Sequence, residues 1–134
     1  EILEEAPLVR SPFWIDYGLK VRVAPSAFID RNCYIQDNPM NVVSIGDGSW
    51  IGPGVHICSV KHDTDWRNRN GIHGPALGAP VVVGEDCFIG SHAVILPGVT
   101  LGNGCVIGAG SIVTRSIPPY HVAFGNPAKV IRKV

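Results

Sequence analysis

Aliphatic residues recur every sixth position along most of this chain, and few folds tolerate that period. From Val83 the series runs Val83, Ile89, Ile95, Leu101, Ile107, Val113. The position after each is mostly glycine: Gly84, Gly90, Leu96, Gly102, Gly108, Thr114. The fifth position of each hexad is mostly small: Cys87, Ala93, Val99, Cys105, Ser111, Ile117. The same phase returns upstream at Ile45, Ile51 and Ile57, and earlier at Val23, Ile29 and Ile35. A period of six fits neither a helix nor a simple alternating strand. It fits a triangular solenoid. Each hexad forms one short flat side, three sides form a coil of roughly eighteen residues, and coils stack about 4.8 Å apart. The aliphatic residue points inward, glycine suits the corner, and the small residue fits the crowded interior. Such an array buries its core only by stacking. The expected fold class is all-β, a parallel β-helix.

The breaks in register divide the chain. Residues 1–22 read as a segment leading into the coil, 23–117 as the β-helix, and 118–134 as a C-terminal extension. The stretch of about residues 60–80 is polar and punctuated by Gly and Pro, hence an extruded loop; it holds His62, Trp66 and His73. A second irregularity lies at Gln36-Asp37-Asn38-Pro39-Met40-Asn41. Pro118-Pro119 ends the strand pattern, and a short C-terminal helix is expected from about Ala128. Cys33, Cys87 and Cys105 fall on the small fifth position and read as buried hydrophobes.

Composition excludes several classes. The formal net charge is zero, so there is no electrostatic footprint for nucleic acid. No run of about 18 apolar residues suggests a transmembrane helix. The acidic start, Glu1 to Glu5, lacks a signal-peptide core. Four Cys without a CxxC pair favour a reducing, cytoplasmic setting. The chain has no initiator Met, which leaves open whether an N-terminal segment is missing from it.

The residues Asp16-Tyr17-Gly18, the loop around His62, Ile89-Gly90-Ser91 through Ile107-Gly108-Ala109-Gly110-Ser111, Val113-Thr114, Ile117-Pro118-Pro119 and Gly125-Asn126-Pro127-Ala128-Lys129-Val130-Ile131 together resemble one family. It is the maltose, galactoside and nodulation-factor O-acetyltransferases of the hexapeptide-repeat superfamily. The resemblance covers nearly the whole chain from Pro12 on. It implies a left-handed coil, acetyl-CoA as co-substrate without a metal, and a homotrimer with sites between subunits. The outward apolar positions Val94, Val106 and Ile112 agree with such packing.

The resemblance also implies roles. His62 aligns with the catalytic base. The chemistry needs one, because a sugar hydroxyl is far too weakly acidic to ionise near neutrality, and imidazole suits the task. Relatives place an Asn on an early turn to hold the oxyanion. Here the turn is shorter, Gln36 stands at the aligned position, and Gln36 or Asn38 supplies the amide. Asp16 and Tyr17 match acceptor-side positions, and Trp66 is a candidate platform for a sugar ring. Coenzyme A would run past Ser91 and Ala109, eighteen positions apart and so stacked one over the other. Phe88 stands where relatives often carry Trp. Thr114 and Arg115, then Lys129 and Arg132, would meet the phosphates.

Two rival readings remain. A zinc hydratase on the same fold wants two His five residues apart, and the five here (56, 62, 73, 92 and 121) hold no such pair. A non-catalytic β-helix scaffold would not need the loop His or Ser91, Thr114 and Lys129. Within acetyl transfer, an antibiotic, an amino sugar or a serine-like hydroxyl is an alternative acceptor.

Overall fold

The computed structural model describes residues 6–134. The chain winds into a left-handed parallel β-helix with three flat faces. The first face stacks Leu8–Val9, Phe28–Ile29, Trp50–Ile51, Phe88–Ile89, Val106–Ile107 and His121–Gly125, and ends in Ala128–Lys133. The second stacks Phe13–Ile15, Cys33–Gln36, His56–Cys58, Val94–Ile95 and Ile112–Val113. The third stacks Val21–Val23, Val43–Ile45, Val81–Val83 and Thr100–Leu101.

The hexad residues form three ladders inside the prism. Ile29, Ile51, Ile89 and Ile107 register on the first face. Ile35, Ile57, Ile95 and Val113 register on the second. Ile45, Val83 and Leu101 register on the third, where Leu101 also bridges Ile117. All are buried, as are Cys33, Cys87 and Cys105 at the small position. Each fully buried aliphatic side chain contributes roughly 1.5–3 kcal/mol. Burial also pushes those three thiols up from their ordinary pKa, which makes them poor nucleophiles. At the corner before Cys105, Gly104 has φ +69°, and a Cβ there would run into the Tyr120 ring.

Two expectations are corrected. The coil starts earlier than residue 23, since Leu8–Val9, Phe13–Ile15 and Val21–Val23 already register on the following coil. The acidic start Glu1 to Glu5 lies outside the described residues. The expected helix from Ala128 is a strand: Ala128–Lys133 pairs antiparallel with His121–Gly125, which itself extends the first face. The β-branched Val130 and Ile131 favour extended backbone, and Val106–Ile107 offers an edge that templates the hairpin. Among the described residues no helix is long and apolar enough to cross a membrane.

The core makes a direct prediction. Leu101→Ala, at a wholly buried rung, should cost about 2–5 kcal/mol in urea unfolding. Thr100→Ala next to it, pointing outward, should cost under about 0.5 kcal/mol. Equal effects would contradict the inward ladder.

Candidate functional site

The three departures from the hexad all leave the prism at one edge, between the second and third faces. In successive coils they follow Phe13–Ile15, Cys33–Gln36 and His56–Cys58, and each returns to a strand of the third face. The third is the largest. Ile45 and Val83 sit in register although 38 positions apart, whereas Val83 and Leu101 are 18 apart. The excess is the loop of residues 59–80.

Side chains on the middle turn bind the excursions to one another. Asp37 is buried and accepts the backbone N–H groups of Tyr17 (3.0 Å) and Gly18 (2.8 Å) from the first. Asn38 is buried too. Its Nδ2 donates to the Ser59 carbonyl (3.0 Å) and hydroxyl (3.2 Å) at the root of the third. Its Oδ1 accepts from the backbone of Met40 (2.8 Å) and Asn41 (3.0 Å). No buried side-chain N or O among the described residues lacks a partner.

The large loop is pinned at its base by Leu77–Gly78 running antiparallel to Val60–Lys61. A single helical turn, Trp66–Arg69, is N-capped by Asp65 and closed by Asn70 in the left-handed region. Asp63 accepts from Asp65 N (2.8 Å) and Asn68 Nδ2 (3.0 Å); these bonds hold its carboxyl below the usual range. His62 follows the pinned strand directly. It is exposed and lines a cavity of about 240 Å³ with Arg69, Gly71, Ile72 and Gly74. Trp66, 71% exposed, does not line it.

Near the N-terminal end, Asp16 accepts the Tyr34 hydroxyl through both oxygens (2.7 and 2.8 Å). That bond, with lesser help from burial, pushes the Tyr34 phenol up to about 12, so it stays a donor. Trp14, Ile15, Asp16, Asn32 and Tyr34 line a groove of about 410 Å³. Tyr17 is outside it. The Tyr34 ring stacks on His56 with centroids 5.0 Å apart. His56 Nε2 lies 3.1 Å from Gln36 Oε1, which also accepts from Cys58 Sγ at 3.4 Å. The Gln36 amide NH₂ has no hydrogen-bond partner among the described residues.

At the C-terminal end of the same edge, Thr114, Arg115, Ser116 and Ile117 face Pro127, Ala128, Lys129 and Val130 across a cavity of about 560 Å³. The last four belong to the hairpin, so the strand that replaces the expected helix builds this wall. Arg132 is on that strand but outside the cavity, its Nη1 on the Lys133 carbonyl.

The proposed coenzyme residues therefore divide. Thr114, Arg115 and Lys129 converge. Ser91 and Ala109 do stack, and the N–H of Gly110, next after Ala109, donates to the Ser91 carbonyl at 2.8 Å, but on the edge between the first and second faces. Phe88 points outward from the first face, 6.0 Å from the Trp50 ring. Among the described residues no three His, Cys, Asp or Glu side chains could hold a metal ion. Sequence reasoning passed over Asp37 as a clamp and Tyr34 as the partner of Asp16. The Gln36-Asp37-Asn38 turn was the only signal for the first, and Tyr34 lay on an ordinary outward position.

The two amides should separate by mutation. Asn38→Ala removes four hydrogen bonds, two of them to the buried Ser59, and should destabilise the protein by about 2–4 kcal/mol in urea unfolding. Gln36→Ala, which takes an acceptor from the part-buried His56 and from Cys58, itself also bonded to the Val60 carbonyl, should cost less, about 1 kcal/mol. A pH effect follows from His56, whose pKa burial lowers from 6.5. A depressed imidazole pKa stabilises the fold above the unfolded value, and that stability is lost as pH falls through the folded value. His56→Gln should therefore flatten the decline in thermal stability below about pH 6.5. An unaltered acid profile would contradict the assignment.

Comparison with known proteins agrees with this architecture. The family description that matches is the hexapeptide repeat of succinyl-transferase, over residues 80–115. A hexapeptide-repeat acetyltransferase from Vibrio cholerae O1 biovar eltor, solved with acetyl-CoA, superposes with a TM-score of 0.89 at 31% identity, covering 96% of this chain and 68% of that one. A maltose O-acetyltransferase from Clostridium difficile 630 superposes at 0.88 with 38% identity, over 96% and 66%. The galactoside O-acetyltransferase of Escherichia coli K12 is 39% identical over 126 residues, 94% of this chain and 60% of the relative. The chain thus spans about 60% of the length of the curated relatives it matches. Fold, repeat and similarity agree, and the chain belongs to the hexapeptide-repeat acetyltransferase family.

Proposed function

We propose that this chain carries the acyl-transfer site of an acetyl-CoA-dependent O-acetyltransferase acting on a hydroxyl of a sugar or sugar-like acceptor. The observation that carries this reading is the shared edge. The loop bearing His62, the Gln36 amide, the Asp16 carboxylate and the cationic C-terminal cavity all open along it. Relatives solved with acetyl-CoA or named for maltose and galactoside acetylation support it.

Each group has a task that its chemistry fits. Among the described residues His62 has no hydrogen-bonded partner, so its imidazole is available to take the acceptor's hydroxyl proton and return it to the departing thiolate. The Gln36 amide NH₂, unpaired among the described residues, can donate to the negative charge that develops on the carbonyl oxygen; Asn38, with its carboxamide fully engaged, is the poorer candidate. The Asp16 carboxylate accepts hydrogen bonds from the acceptor. Arg115 and Lys129 fit an anionic phosphate group, with Thr114 as a neutral donor. When bound, acetyl-CoA supplies the activated thioester. No cysteine nucleophile is needed, and the three core thiols point into the prism.

Ser91, Ala109 and Phe88 lie away from the edge that holds Lys129. This split supports a site completed between copies of the chain, with one copy giving the Thr114 edge and another the Ser91 edge. A homotrimer meets that requirement, and Val94 and Ile112 on the second face with Val106 on the first are its apolar contacts. The scaffold reading has no observation in its favour: a structural coil does not need a pinned loop that holds an imidazole in solvent.

His62→Ala should lower turnover about 10²–10⁴-fold with the unfolding midpoint unchanged. The measurement is thiol release from acetyl-CoA over a panel of sugars and other alcohols. Full activity in the variant would remove His62 as the base.

A further inference from the structure

Asp47-Gly48, Asn70-Gly71 and Asn103-Gly104 each put a side-chain carbonyl next to a glycine nitrogen. The Asn or Asp Cγ is one short ring away from that nitrogen, and glycine has no side chain to block the approach. The fold treats the three pairs differently. At Asn103, Oδ1 accepts the Glu85 N–H (2.9 Å), the Gly104 N–H donates to the Glu85 carbonyl (2.8 Å), and the Asn103 carbonyl accepts the Tyr120 N–H (2.8 Å). At Asp47, the Ser26 hydroxyl accepts the Gly48 N–H (2.9 Å) and donates to Oδ1 (2.9 Å). At both coil corners the nitrogen and the side-chain oxygen are held.

Asn70-Gly71 lies off the prism, at the end of the helical turn in the extruded loop. Asn70 is exposed and sits in the left-handed region at φ 47°. Among the described residues its carboxamide has no hydrogen-bond partner and the Gly71 N–H donates to nothing. The peptide unit joining the two makes one bond, from the His73 N–H to the Asn70 carbonyl (3.0 Å). A Cβ on Gly71 would meet nothing within 4 Å, whereas one on Gly104 would run into the Tyr120 ring.

We propose that Asn70 is a site of spontaneous deamidation, and the fastest in this chain. The Gly71 nitrogen attacks Asn70 Cγ. The N–Cγ bond forms, the Cγ–Nδ2 bond breaks, and Nδ2 leaves as ammonia with the proton from Gly71. Water then opens the succinimide on either side and gives aspartate or isoaspartate. The sum is asparagine and water in, acid and ammonia out, with no oxidant, metal or second enzyme. Attack requires the peptide unit to rotate out of its present conformation. At Asn70 that rotation gives up the single bond to His73; at Asn103 it gives up the bonds to Glu85 and Tyr120 in a packed corner. The other asparagines precede Cys33, Pro39, Val42, Arg69 and Pro127. Proline has no N–H to react, and the remaining side chains hinder the approach. The product puts a carboxylate between Arg69 and Gly71, which line the His62 cavity. Isoaspartate also adds a methylene to the backbone at the residue whose N–H closes the helical turn on the Trp66 carbonyl. The modification stands whichever reaction the loop serves.

The test compares the two Asn-Gly sites within one molecule. The purified protein is held in mildly alkaline buffer, sampled over time and peptide-mapped by mass spectrometry, with isoaspartate labelled by an isoaspartyl methyltransferase. The Asn70 peptide should convert about tenfold or more faster than the Asn103 peptide, with isoaspartate among its products. In guanidinium chloride, where neither site keeps its hydrogen bonds, the two rates should converge. Asn70→Gly removes the carboxamide and keeps a residue at ease in the left-handed region, so the principal acidic variant that accumulates on storage should vanish. Conversion at Asn103 as fast as at Asn70, a difference that persists unchanged in the unfolded chain, or an acidic variant that survives in Asn70→Gly would each overturn the site.

Discussion

Everything in this molecule depends on aliphatic residues stacking in register inside a narrow prism. A six-residue side is too short to fold by itself, since a two-residue strand has almost no pairing of its own. Each coil is stable only because the coil above supplies its hydrogen-bond partners and completes its core. Ile29, Ile51, Ile89 and Ile107 make one such ladder, and the small Cys, Ala and Ser positions leave room for it. The consequence is rigidity along the edges. Anything added to an edge is held by a scaffold that cannot bend to accommodate it.

The additions are confined to one edge, and they are tied to one another rather than merely tolerated. Asp37 and Asn38 reach from the middle turn to the turns on either side. Both are buried polar groups with their bonding satisfied, the condition under which such groups stabilise a single arrangement instead of penalising it. The turn that carries Gln36 is thereby fixed relative to Asp16 and to the root of the His62 loop. A site assembled on three excursions acquires the precision of the coil beneath it. The C-terminal hairpin applies the same logic at the far end, where Ala128–Lys133 closes a cavity against Thr114 and Arg115.

The split between Ser91 and Lys129 follows from the geometry of a triangle. Residues eighteen apart share an edge, but residues five apart, such as Ala109 and Thr114, fall on different ones. Spacing in the chain separates the edges of one copy and is silent on which edges of different copies meet. A single prism therefore presents Ser91 with Ala109 and Thr114 with Lys129 on two different edges, and the second face between them carries the apolar Val94 and Ile112 rungs.

The hexad determined the coil, its inward residues, the bland role of the cysteines and the position of the large loop. These are properties of local period, and a period of six has one economical solution. The sequence also marked Asp16, Gln36 and His62 as chemistry-bearing. What only the tertiary structure decided is how such residues meet. Asn38 reads as a second amide donor in the chain but is spent on Ser59 and its own turn. Asp37 reads as a turn residue but clamps another coil. Tyr34 reads as an outward strand position but completes Asp16. Ala128–Lys133 reads as a helical tail but finds the open edge left by Val106–Ile107 and pairs there through the hairpin. The first three depend on contacts between coils some twenty residues apart, which leave no periodic trace in the sequence, and the last on a hairpin that docks on the first face.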